Sequence, residues 1–193
     1  MTTTADDLIT QMRGCTLCQP FLPLAPKPVF QLQPQARILI AGQAPGVKAH
    51  QSGKPFDDAS GRRLRDWMGL SEADFYDSAK VAILPMGFCY PGKGRSGDLP
   101  PRPECAQTWR QQALATLTEL KLILVIGRYA ITWHMPDHQG SLTEAVSQGF
   151  STGQKLLPLP HPSPRNNRWL KQNPWFEQQL LPQLRQRVDM ALA

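Results

Sequence analysis

No apolar run in the chain approaches the roughly 20 residues that a membrane-crossing helix needs, so no membrane partner is expected. The opening Met1-Thr2-Thr3-Thr4-Ala5-Asp6-Asp7 lacks both the basic and the apolar part of a secretory signal, which points to the cytoplasm. Internal repeats and low-complexity tracts are missing too, which sets aside solenoids and biased linkers. With no linker in 193 residues, one domain over 1–193 and a monomer are the expectation. Cysteine is scarce, with 4 residues, and a disulfide framework is disfavoured without an export pattern. Hydrophobic content of 41% and charged content of 19% belong to an ordinary globular chain. The net charge of +6 favours a polyanionic partner without requiring one.

What is present is a sheet protein punctuated by proline. The run Ile38-Leu39-Ile40-Ala41 closes on Gly42-Gln43-Ala44-Pro45-Gly46, the pattern of a buried strand entering a turn at a sheet edge, where ligands bind. Val81 to Leu84, Leu122 to Ile126 and residues 155 to 160 read as three further strands, apolar throughout. Helices are expected at 5 to 13, from a cap at Asp58 or Ser60 to Gly69, in a short turn after Ser71, from Pro103 through Trp109, Ala113, Leu117 and Leu120, and from Arg128 to Trp133. A last helix is expected from a cap at Asn173, kinked at Pro182. Strands alternating with helices predict a three-layer α/β/α sandwich on a central, largely parallel four-stranded sheet. Functional residues then belong on the loops at the strand ends.

The cysteines form two pairs. Cys15 and Cys18 make a C-x-x-C behind the first helix, while Cys89 and Cys105 bracket a loop rich in Gly, Pro and basic residues. Four thiolates so spaced suit an iron-sulfur cluster, a zinc ion being the alternative and buried thiols the plain reading. The wide second pair favours the cluster over zinc.

Taken together, these residues resemble the uracil-DNA glycosylase superfamily, and within it the iron-sulfur families numbered four and five. Gly42-Gln43-Ala44-Pro45-Gly46 is similar to the first active-site motif, Gly53-Lys54-Pro55-Phe56 to the segment whose ring stacks on the target base, and His161-Pro162-Ser163-Pro164 to the second active-site motif. The cysteines resemble a [4Fe-4S] ligand set. Family four commonly has an acidic residue where this chain has Gln43 and a uracil-reading Asn where it has Pro85; family one has Asp at the position of Ala44. Asp58-Ala59-Ser60-Gly61 resembles the segment from which family five draws its Asp, one residue closer to Phe56.

The resemblance implies a DNA repair glycosylase, whose chemistry requires the target base to leave the stack. Gly42, Ala44, Pro45, Gly46 and Phe56 would then hold the base, Phe56 being otherwise a core residue. His161 would donate to the oxygen of the departing base, and is otherwise a solvent-facing loop residue. Asp58 would stabilise the sugar or orient the water, or else only cap a helix; Gln43 is the second candidate for the water. Ser163, Arg165, Asn166, Lys93 and Arg95 are the candidate DNA contacts, with Arg165 a wedge or a phosphate clamp and Lys93, Arg95 and Arg102 phosphate contacts or solvated charges. The partner is DNA with a damaged or deaminated base. A catalytically silent lesion-binding relative and a cluster-bearing electron carrier are the competing readings.

Overall fold

The structure is a computed structural model that describes residues 4–95, 97–150 and 154–193. Residues 1–3, which form part of the stretch read for a signal, lie outside these. The first helix, α1 (Ala5–Arg13), opens on a capping box in which Thr4 and Asp7 exchange side-chain and backbone hydrogen bonds, satisfying donors that a helix start leaves free. It buries Leu8 and Met12. Then come β1 (Ile38–Ala41), α2 (Val47–Ser52), α3 (Ala59–Met68), α4 (Glu72–Phe75) and β2 (Val81–Ile83). A small hairpin, β3 (Lys93–Gly94) with β4 (Gly97–Asp98), stands in the loop between Cys89 and Cys105, where the sequence suggested only a loop.

Beyond it, α5 (Pro103–Cys105) continues through a π-helical stretch, Ala106–Arg110, into α6 (Gln111–Ala115). This helix is shorter than expected. Leu117 and Leu120 lie past its end, although Leu117 is still buried in the core. β5 (Leu122–Ile126), α7 (Arg128–His134), α8 (Leu142–Gly149) and β6 (Leu156–Leu159) complete the sheet, and α9 (Asn167–Gln172) and α10 (Leu181–Leu192) close the chain. The periodicity reading missed α2, α8 and α9. For α8 the signal was present: Ser141 and Glu144 form a capping box.

The expected kink at Pro182 is a π-helical stretch, Phe176–Leu180, directly before it. A widened turn lets the chain pass a residue that has no N–H to donate. Asn173 is not the cap it was expected to be: its side-chain oxygen accepts from the Trp175 indole N–H at 3.2 Å and its amide donates to the Trp169 carbonyl.

All four strands of the sheet are parallel, in the order β2-β1-β5-β6. Because alternate residues of a strand face opposite ways, Ile38 and Ile40 pack with Leu64, Trp67, Phe176 and Leu184 on one face, while Leu39 packs with Leu8, Met12 and Ala113 on the other. That double burial produces the three layers. It also explains why the strands are apolar without interruption. Truncating a fully buried side chain such as Phe176 to Ala costs roughly 3–5 kcal/mol in sites of this kind. No helix among the described residues is long and apolar enough to cross a membrane.

Candidate active site

The C-terminal ends of β1 and β6 open on one side of the sheet. There the loops after them meet the turn before α3 and the β3–β4 hairpin around a cleft of about 500 Å³, a size ordinary for a small-molecule site. The loop Gly42 to Gly46 is drawn against the end of β2, with Met86 N–H donating to the Gly42 carbonyl at 2.9 Å and Gly87 N–H to that of Gln43 at 3.0 Å. Pro85 lines the cleft here and brings no side-chain donor or acceptor. Behind it, the buried Arg110 donates to the Leu84 and Pro85 carbonyls at 3.0 and 3.2 Å.

Phe56 is the one described residue other than glycine with positive φ, at 56°. A bulky residue there is strained and must be held by its surroundings. The hydroxyl of Tyr76 donates to the carbonyls of Pro55 and Phe56 at 3.0 and 3.3 Å. Behind it, α3 approaches so closely that a Cβ on Gly61 would lie 1.7 Å from the Phe56 oxygen. The ring, half-buried, packs against Gly42 and edge-on to Phe75 with centroids 6.4 Å apart. It lines the cleft.

His161 leaves β6 into the same cleft. Its Nδ1 accepts the backbone N–H of Ser163 at 3.2 Å, so this nitrogen carries no proton and the neutral ring bears its hydrogen at Nε2. Burial pushes the imidazole below its ordinary range, with Asp58 pulling the other way. Asn166 holds the turn by donating to the His161 carbonyl at 2.7 Å, and Arg63 reaches from α3 to the Ser163 carbonyl.

Asp58 combines both of its expected places. Its Oδ1 accepts the Gly61 N–H at 2.9 Å as the N-cap of α3, and the residue lines the cleft. Gln43 also lines it, and its amide donates to the Leu99 carbonyl at 3.3 Å. Sequence reasoning missed Asp98, a second carboxylate brought to the cleft by β4. A short polar strand in a Gly- and Pro-rich loop has no periodicity by which it could have been found. Among the expected DNA contacts, Ser163, Arg165 and Asn166 line the cleft; Lys93 and Arg95 are exposed outside it. Arg102 is committed elsewhere, paired with Glu104, stacked over Phe21 at 4.3 Å and acting electrostatically on Cys18.

The four cysteines are free thiols. Trp109 donates its indole N–H to Cys15 at 3.2 Å and Phe88 its backbone N–H to Cys105 at 3.3 Å, while Arg102 and the Lys27 backbone act electrostatically on Cys18 and Cys89. Burial pushes the thiols of Cys89 and Cys105 up to about 11 and about 12, with the neighbouring cysteines adding to both, and raises Cys18 in the same direction. Among the described residues no three His, Cys, Asp or Glu side chains are arranged to hold a metal ion.

The parallel α/β sandwich gathers a loop histidine, a phenylalanine ring and two carboxylates in one cleft, and the chain matches a known family model. That of the uracil DNA glycosylase superfamily covers residues 29–185, and the chain belongs to this superfamily. Membership supports DNA glycosylase activity in general, with DNA as the partner. The matched stretch holds the whole cleft together with Cys89 and Cys105; Cys15 and Cys18 precede it.

Proposed function

We propose that the protein is a monofunctional DNA glycosylase that flips a deaminated base, uracil or a relative, out of DNA and hydrolyses its N-glycosidic bond to leave an abasic site. The observation that carries this reading is the neutral His161, fixed by Ser163 with Nε2 as its donor, in one cleft with the strained Phe56 and with Asp58.

The roles follow from the chemistry. As the bond from C1′ to the base breaks, its electrons collect on the carbonyl oxygen of the base. A neutral imidazole N–H aimed at that oxygen stabilises the charge without first giving up a proton. Phe56 offers a ring face on which any base can stack. The second oxygen of Asp58, not needed for the cap, supplies negative charge for the cationic sugar that develops. Arg165 either fills the gap left in the stack or grips a phosphate, and the excess of basic residues supplies the salt-sensitive part of binding. Pro85 reads no base edge, so uracil, hypoxanthine and xanthine, which all present a carbonyl where deamination removed an amino group, are the candidate substrates.

The thiolates of Cys15, Cys18, Cys89 and Cys105 would hold a [4Fe-4S] cluster, as in families four and five. Donated N–H groups at Cys15 and Cys105 favour bound thiolates, and the wide sequence spacing of Cys89 and Cys105 favours a cluster over zinc. Bound there, the cluster would cross-link the N-terminal segment to the loop that carries the hairpin.

The silent lesion-binding reading draws on Gln43, whose amide is spent on Leu99, and on Pro85. One experiment separates the two. Oligonucleotides containing uracil, hypoxanthine or xanthine are incubated with the protein and abasic sites are cleaved with alkali. Strand scission at the deaminated base is expected; tight binding without scission of any of the three supports the silent relative.

A further inference from the structure

The loop after β1 contributes only Gly42, Gln43, Ala44, Pro45 and Gly46 to the cleft, so it has no ionisable side chain to handle water. Among the described residues that line the cleft, the carboxylates are Asp58 and Asp98. One oxygen of Asp58 is bound to the α3 backbone. We propose that Asp98 is the group that activates the attacking water, a catalytic base delivered to the site loop from the β3–β4 hairpin; the inference rests on the glycosylase reading above.

The geometry carries this assignment. Asp98 Oδ2 lies 3.4 Å from the position a Cβ on Gly46 would take, so the carboxylate meets the site loop at a residue with no side chain to shield it. The hairpin is fastened at that end, for Leu99 N–H donates to the Gly92 carbonyl at 2.8 Å and the Leu99 carbonyl accepts from Gln43. Gly97, at φ 148°, leaves room for the Arg165 guanidinium, which a Cβ there would meet at 2.6 Å. Asp98 therefore sits among Arg165, Asp58, its cross-strand partner Lys93 and the buried Tyr90, all within its electrostatic reach. Asp98 is exposed at the rim of the cleft; partial desolvation there, then the negative Asp58, raise its carboxyl above the ordinary range, with Arg165 and Lys93 opposing. A carboxyl shifted in that direction accepts a proton more readily than an ordinary one.

In the step proposed, the water oxygen bonds to C1′ of the flipped nucleotide and its proton passes to Asp98. The bond from C1′ to the base breaks, with its electron pair leaving on the base beside His161. The proton then returns from Asp98 through solvent to the base, so free base and abasic sugar account for all the atoms of water and substrate.

The test is single-turnover excision between pH 4 and 9, on whichever deaminated oligonucleotide the wild type cuts, by Asp98→Asn, Asp98→Glu and Asp58→Asn. A base must be deprotonated, so the wild-type rate should climb with pH and level off. Asp98→Asn should be slower by about 100- to 10,000-fold and should lose that climb, while its Kd for the same DNA stays within about 3-fold, since phosphate contacts set affinity. Asp98→Glu should keep the climb at reduced rate, and Asp58→Asn should keep it too. An Asp98→Asn variant with the wild-type rate and pH profile overturns the inference while the glycosylase reading stands. So does one whose loss appears wholly in Kd. A wild type that excises no deaminated base overturns the reading and the inference together.

Discussion

The backbone N–H of Ser163 points into the ring of His161 and donates to Nδ1 at 3.2 Å. Two residues of separation, with Pro162 between, make the contact purely local, yet it decides which nitrogen carries the proton. His161→Ala should slow single-turnover excision by about 100- to 1000-fold, the usual cost of one such donor. Because burial holds the ring below its ordinary 6.5, wild-type activity should show no break at pH 6.5 from its protonation. A break there that persists in Asp98→Asn would mean that the ring titrates in the working range.

Asp58→Asn separates capping from charge. An amide oxygen still accepts from Gly61 N–H, so the melting temperature should stay within about 2 °C, whereas Asp58→Ala, which lacks the cap, should lose about 1 kcal/mol. Excision should fall in both variants. If excision survives in Asp58→Asn, the carboxylate serves α3 alone.

Gly61→Ala places a methyl group where the Phe56 carbonyl stands. Phe56 must then move off its strained backbone position, and a stability loss of roughly 3 kcal/mol is expected, with base-dependent excision reduced beyond that. Urea denaturation measures the first. Unchanged stability would show that the turn before α3 yields easily.

Purified protein should be brown and contain iron and acid-labile sulfide. Replacing Cys89 with Ala should release the cross-link and lower the melting temperature by about 5 °C or more, with chemistry at the cleft affected less. Colourless protein with one equivalent of zinc would give the thiols to zinc instead.

His134 stands against Arg110, its Nε2 at 2.6 Å from a guanidinium nitrogen. Burial first, then that charge, depresses its pKa to about 3. The unfolded chain takes up this proton near 6.5 and the folded chain only near 3, so stability is lost as pH falls through that window. Between pH 6.5 and 4.5, above the carboxylates, the melting temperature of His134→Gln should fall less steeply than that of the wild type. His50 and His161, also depressed by burial, keep some slope in both.

Much of this architecture is written locally. Ile38 to Ala41, Val81 to Ile83 and Leu122 to Ile126 are apolar on both faces, which only a sheet covered on two sides requires, and Asp58 and Gly69 bracket α3 as cap residues do. The motifs around Gly42, Phe56 and His161 resemble those of the superfamily in the sequence alone, and folding brings them to one cleft. What only the tertiary structure decided depends on contacts between distant segments. The strain at Phe56 comes from Gly61 and Tyr76, the commitment of Arg102 from Glu104 and Cys18, and the arrival of Asp98 at Gly46 from a hairpin fastened by Gln43. A two-residue strand has neither period nor propensity enough to be seen in sequence, because its stability comes from the surface it is laid against. The second carboxylate of the cleft therefore appears only once the chain is folded.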